Sequence, residues 1–183
     1  MKLLIASDIH GSSFYLNKLC EAIEAEKPDR IILLGDLLYH GPRNNLPKEY
    51  EPKAVIEALN NLKNKILCVR GNCDTEVDQM VLDFPVMSDY AFIMVDNINI
   101  YLSHGHKFNK DDLPPLCKGD IFISGHSHIT LCDNDGYVIF LNPGSVSIPK
   151  DNSPNSYMIY ENKKFIWKTI EQKSYMEFNL QER

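Results

Sequence analysis

Two β-sheets packed face to face, with helices outside, make up the α/β fold that this 183-residue sequence predicts. Three observations point there. The first half alternates short apolar runs with helical periodicity, the pattern of βαβ units and a parallel sheet. The second half alternates apolar runs with hairpin signals, the pattern of antiparallel pairing. No linker, repeat or low-complexity block parts the halves, so residues 1–183 read as one domain, within the ~100–200 residues usual for one.

The elements follow in order. Leu3–Ser7 is an apolar run of buried-strand type. Leu16, Leu19, Cys20 and Ile23 keep helical spacing, with Ser12 or Ser13 as the N-cap. Ile31–Leu34 is a second buried strand. Val55, Leu59 and Leu62 mark a second helix, entered at Pro52, and Ile66–Val69 is a third strand. A short helix over Glu76–Leu82 follows, with Asp74 as a candidate cap. Tyr90–Val95 and Ile98–Ser103 flank Asp96-Asn97, a hairpin turn. Asp120–Ser124 is another strand. Ile129–Cys132 and Tyr137–Leu141 flank Asn134-Asp135-Gly136, and Ser156–Tyr160 and Phe165–Ile170 flank Asn162-Lys163. The last ten residues carry no readable element.

Composition excludes several classes. An apolar fraction of 44% and a charged fraction of 24% suit a globular protein and not a disordered one. A net charge of −6 lacks the basic footprint of a long nucleic-acid binder. Five cysteines without a CxxC pair argue against a disulfide framework or a thiolate zinc knuckle, and for a reducing compartment. The apolar run of MKLLIAS is short for a signal peptide and ends at Asp8, and no stretch reaches the ~18 apolar residues of a membrane span. A cytoplasmic protein without membrane association is expected.

The polar residues fall where strands end. Leu3–Ser7 runs into Asp8-Ile9-His10, Ile31–Leu34 into Gly35-Asp36, and Ile66–Val69 into Arg70-Gly71-Asn72-Cys73-Asp74. Ile98–Ser103 runs into His104-Gly105-His106, and Ile121–Ser124 into Gly125-His126-Ser127-His128. Ligands of open α/β sheets bind at the carboxyl ends of strands, so these groups converge on one rim. Asp8, His10, Asp36, Asn72, His104, His126 and His128 mix imidazole, carboxylate and one amide oxygen, without thiolate. That favours Mn²⁺, Fe²⁺ or Zn²⁺. Seven ligands exceed one tetrahedral ion and suit two ions sharing a carboxylate, about 3.5–4 Å apart, a pair that clamps phosphate and acidifies a bridging water for in-line attack on phosphorus.

The segments SDIHG, GD, GNCD, HGH and GHSH, with NPGS at 142–145, resemble the calcineurin-like metallophosphoesterases from Met1 to about Lys150. Within that family LLGDLLYHGPRNNLP, RGNCDTEVDQM and NPGSVSIPK look most like the small bacterial phosphodiesterases of the YfcE type. The resemblance implies a four-layer αββα sandwich of two mixed β-sheets with helices on the outer faces. It implies two divalent cations, Mn²⁺ ahead of Fe²⁺, Zn²⁺ or Ni²⁺. Asp8, His10 and His128 would hold one ion, Asn72, His104 and His126 the other, and Asp36 would bridge. Asp36, Asn72, Cys73, Asp74 and His104 become the catalytic candidates.

One position departs from the wider superfamily. Many members place a histidine after the ligand Asn, where it protonates the leaving group; here Cys73 stands there, as in the YfcE-type proteins. A thiol of ordinary pKa near 8.5 suits that task less well. His40 and Arg43, in the loop after Asp36, are substrate-binding candidates, Arg43 as a bidentate phosphate donor. Asp74 reads as a hydrogen-bond support for this segment.

The expected function is hydrolysis of a small phosphodiester by a metal-bridging hydroxide. The alternatives are a phosphomonoesterase or cyclic-nucleotide phosphodiesterase on the same site, and a non-catalytic, retromer-subunit-like scaffold; intact Asp36 and Asn72 disfavour the last. Gly125-His126-Ser127-His128-Ile129 only imitates a serine-hydrolase elbow, since Ile129 stands where glycine is required. A homo-oligomer stays open.

Overall fold

A computed structural model describes residues 1–180. β1 (Leu3–Ala6), β2 (Arg30–Leu33) and β3 (Ile66–Cys68) are parallel neighbours, linked by α1 (Ser13–Glu26) and α2 (Pro52–Asn61). The Ser12 side chain caps α1 by accepting from the Tyr15 N–H, and Pro52 opens α2 where no intrahelical donor is needed. α3 (Glu76–Gln79) is shorter than the sequence predicts. Its cap is Thr75, paired with Asp78 in a capping box, and not Asp74.

Two mixed sheets result. β9 (Ser156–Glu161), β10 (Lys164–Thr169) and β11 (Ser174–Asn179) extend the first antiparallel, in the order β11-β10-β9-β1-β2-β3. The second contains β4 (Tyr90–Val95), β5 (Ile98–Ser103), β6 (Ile121–Ile123), β7 (Thr130–Asn134) and β8 (Ile139–Pro143), in the order β4-β5-β6-β8-β7. β5, β6 and β8 are parallel, and β4 and β7 flank them antiparallel. The turns at Asp96-Asn97 and Asn162-Lys163 hold all four residues at positive φ, the requirement of a two-residue hairpin loop. β11 lies within the last ten residues, where the sequence shows no readable element. Its Tyr175, Glu177 and Asn179 face outward at a sheet edge, so no run of apolar residues announces it. The remaining three residues lie outside the described part.

The period of two along each strand divides the core. Leu3 and Ile5 face inward with Ile32, Phe165 and Trp167, against Ile100, Leu102, Ile121, Ile123 and Leu141 of the second sheet. Leu4 and Ala6 face outward beneath Leu16, Leu19, Val55 and Leu59 of the two helices. The α/β sandwich of mixed sheets is as expected, but its outer layers differ. α1 and α2 cover the first sheet, while Phe108 and Leu116, from the segment after β5, cover Tyr101, Phe122 and Phe140 on the second. No described helix is long and apolar enough to cross a membrane.

Trp167 joins the sheets by more than packing. It is fully buried, and its indole N–H donates to the Asn142 carbonyl at the end of β8 (2.7 Å). Trp167→Ala should destabilise the fold by about 3–5 kcal/mol. Urea unfolding followed by far-ultraviolet circular dichroism measures this, and a loss under 1 kcal/mol would refute the assignment.

Candidate metal centre

The carboxyl ends of β1, β2, β3, β5 and β6 meet at one rim. The segments beyond them are laced by backbone bonds: Asp8 N–H to the Gly35 carbonyl (3.1 Å), His10 N–H to the Asp36 carbonyl (2.9 Å), and Gly125 N–H to the His104 carbonyl (2.9 Å). Ser145 and Ser147 hydroxyls both donate to the Asp8 carbonyl. The Asn142 amide donates to the Gly125 carbonyl and the Ser127 hydroxyl. The NPGS segment thus holds two ligand loops in place.

Close approach explains the glycines at two positions. A Cβ on Gly71 would lie 2.1 Å from Asp36 Oδ1, and one on Gly125 would lie 1.9 Å from Ser7 Oγ. The polar residues themselves take unusual backbone. Asp8, His10, Asp36, His126 and His128 all have φ between 49° and 66°, the left-handed region. Such residues cost of order 1–3 kcal/mol each and persist only where their surroundings fix them. Asp and His tolerate this region better than most side chains.

The side chains then meet lone pair to lone pair. His10 Nδ1 contacts the Tyr39 carbonyl (2.7 Å), His128 Nδ1 the Ile148 carbonyl (2.7 Å), and His104 Nδ1 the Leu34 carbonyl (2.6 Å). A carbonyl only accepts, so each Nδ1 carries a proton and Nε2 is the ring atom left to act as a ligand. His10 Nε2 and His128 Nε2 stand 3.4 Å apart, at 3.5 and 3.3 Å from Asp8 Oδ1. That oxygen is buried without a hydrogen-bond partner. His104 Nε2 lies 3.0 Å from Asn72 Oδ1, 3.2 Å from His126 Nδ1 and 3.4 Å from Asp36 Oδ2. Asp36 Oδ2 is also 3.7 Å from His10 Nε2, between the two groups.

Buried acceptors converging without donors need positive charge between them. Protons are one source. Burial opposes charge on His104, yet Asp36 and Asp8 push its pKa up to about 9, and they raise His10 in the same way. Burial would raise Asp8, but His10, His128 and His104 hold it well below the ordinary carboxyl value, and His104 lowers Asp36 against the same burial. Divalent cations are the other source, and the donor set fits them. Asp8, His10 and His128, and Asp8, Asp36 and His104, each offer ligand atoms within 4.8 Å of one another. The Nδ1–carbonyl contacts are the outer hydrogen bonds that orient metal-binding imidazoles.

Around this centre the remaining candidates separate. Cys73 donates its N–H to Asp36 Oδ1 (2.8 Å), and its thiol is pushed up to about 12 by burial and by the Asp36 charge. Asp74 is buried behind the centre, where it accepts from the N–H groups of Asp36 (2.9 Å), Leu37 (2.9 Å) and Gly71 (2.8 Å). It joins the loops after β2 and β3 and does not reach the cleft. Burial and the Asp36 charge raise its pKa against those three donors. The His40 ring packs edge-on between Tyr39 and Tyr50 and does not line the cleft. His106 packs against His104 and His126, and burial and their charge push its pKa down to about 4.

Over the centre opens a cleft of about 290 Å³, lined by Asp36, Asn72, Cys73, His126 and His128 below and by Arg43 and Lys150 above. Lys150 was not foreseen. A lone lysine after a proline carries no sequence signal, and only the bond from its backbone N–H to the His128 carbonyl (3.0 Å) places it.

Residues 1–164 match the family model described as the calcineurin-like phosphoesterase superfamily domain. The phosphodiesterase YfcE of Escherichia coli K12 is 43% identical over 162 residues, 88% of each chain. A solved structure of the E. coli phosphoesterase YfcE superposes with a TM-score of 0.96 at 38% identity, over 99% of this chain and 100% of that one. Vps29 of Entamoeba histolytica superposes with a TM-score of 0.65 at 20% identity, over 98% and 100% of the chains, a likeness of fold alone.

Removal of the Asp74 carboxylate strands three buried N–H groups, each worth about 1–3 kcal/mol. Asp74→Ala should therefore unfold at clearly lower urea and bind divalent ions about 10–100-fold more weakly. Unchanged ion affinity by titration calorimetry would show that Asp74 does not position the ligand loops.

Proposed function

We infer that this chain, which belongs to the calcineurin-like phosphoesterase superfamily, hydrolyses a small phosphodiester at a centre of two divalent cations. The chain is a hydrolase of phosphoric ester bonds; the diester substrate and the paired ions are the finer parts of the proposal. The observation that carries it is the convergence of buried acceptors on two adjoining points with Asp36 Oδ2 between them. Asp8, His10 and His128 would hold one ion, Asn72, His104 and His126 the other, with Asp36 shared. Imidazole with carboxylate and amide oxygen suits Mn²⁺, or Fe²⁺, Zn²⁺ or Ni²⁺. Bound there, such ions supply Lewis acidity toward phosphoryl oxygens and lower the pKa of water.

The residues of the chain do the rest. The carbonyls of Tyr39, Ile148 and Leu34 fix three imidazole tautomers before substrate arrives. The cleft, near the lower end of the ~300–1,000 Å³ usual for ligand sites, favours a small substrate over a polynucleotide. Five free cysteines support the reducing, cytoplasmic setting. The presence of both Asp36 and Asn72 favours an enzyme over a scaffold.

Cys73 bears on the leaving group. Its thiol holds its proton too tightly to match an imidazolium as acid. The proposal therefore includes substrates whose leaving group departs with little help.

Chelator-stripped protein should be inactive, and Mn²⁺ should restore diester hydrolysis better than Mg²⁺, Zn²⁺ or Ca²⁺, with Asp36→Asn lowering the restored rate by about 100-fold or more. Failure of every ion to restore hydrolysis of any ester in a panel of mono- and diesters would overturn the reading. Cys73→His should move the monoester-to-diester activity ratio by about tenfold or more. A ratio unchanged on matched substrates would remove Cys73 from leaving-group chemistry.

A further inference from the structure

Six of the fifteen lysines are in ion pairs among the described residues. Lys2 and Lys168 pair with Glu26, Lys63 with Asp83, Lys107 with Asp89, Lys110 with Asp133, and Lys164 with Glu177. Arg43 and Lys150 have no such partner among the described residues, yet both line the cleft above the metal centre. They arrive from different walls. Arg43 lies in the segment beside Cys73, where a Cβ on neighbouring Gly41 would stand 3.3 Å from the thiol sulfur. Lys150 lies in the segment tied to His128 through two bonds, its own N–H to the His128 carbonyl and His128 Nδ1 to the Ile148 carbonyl. The one carboxylate lining the cleft is Asp36, which faces the histidines.

A diester carries one negative charge, at phosphorus, which the cations proposed for the floor of the cleft would meet. Two further cations, kept free of partners in a protein of net charge −6, exceed what that charge needs. Arginine offers a planar fork for a second oxyanion, and lysine a mobile point charge. We propose that Arg43 and Lys150 select phosphodiesters that bear a second anionic group, carboxylate or phosphate, on an esterified arm. This deepens the phosphodiesterase reading and rests on it for the identity of the reaction.

Two measurements on the Mn²⁺-loaded protein test it. In titration calorimetry, 2-phosphoglycolate should bind at least tenfold more tightly than ethyl phosphate. Arg43→Ala and Lys150→Ala should each shrink that ratio at least threefold, while Lys150→Arg keeps it. In kinetics, carboxymethyl p-nitrophenyl phosphate should exceed methyl p-nitrophenyl phosphate in kcat/KM, chiefly through KM, with the same dependence on the two cations. Lys150→Ala retains its backbone bond to His128, and both side chains are exposed, so the variants should fold. Equal binding of the two ligands by the wild type, or a ratio that neither alanine variant moves, overturns the proposal. Cleavage of both diesters without arm preference removes the cation pair and leaves the phosphodiesterase reading. Arm-selective binding without cleavage of any diester leaves the pair and removes that reading.

Discussion

Lone pairs of imidazole, carboxylate and amide oxygen point at one another in the interior of this protein, and everything around them exists to keep them there. Left free, such groups would turn outward to water. The Nδ1–carbonyl bonds prevent rotation of His10, His104 and His128, and burial prevents hydration of Asp8. The arrangement is tolerable only with positive charge at its centre, so affinity for cations is built into the folded state before any ion arrives.

The sandwich supplies the rigidity this requires. Parallel strands in both sheets end at the same rim, and loops from one sheet bond to loops from the other: His126 N–H to Asp8 Oδ2, Asn142 to the Gly125 carbonyl, and Ser145 to the Asp8 carbonyl. Left-handed backbone at five of the polar positions aims side chains inward that an extended chain would send to alternate faces. The strain is held by the hydrogen-bonded frame around it, in which Asp74 satisfies three donors at once.

Much of this was legible in the sequence, for stated reasons. Buried strands announce themselves by apolar runs, hairpins by Asp-Asn and Asn-Lys turns, and the rim by histidines and acids that follow strands. What escaped notice had no local signature. β11 alternates exposed residues along an edge and depends on β10 for its hydrogen bonds. α3 ends early, at Gln79, whose side chain turns back to the Phe84 and Leu82 carbonyls and the Val86 N–H. Asp74 read both as a helix cap and as a hydrogen-bond support, and it is the second, accepting from two loops at once. Lys150 reaches the cleft through a bond to His128, which only the tertiary structure forms.

The carbonyls that orient His10 and His128 belong to Tyr39 and Ile148, and the same two segments carry Arg43 and Lys150 a few residues on. On the proposed reading, recognition and ion binding are therefore not separable modules in this chain. A lineage that lengthened either loop to admit a new substrate would also slacken an imidazole. Change of specificity is thus steered toward side-chain replacement within loops of constant length, and away from insertion.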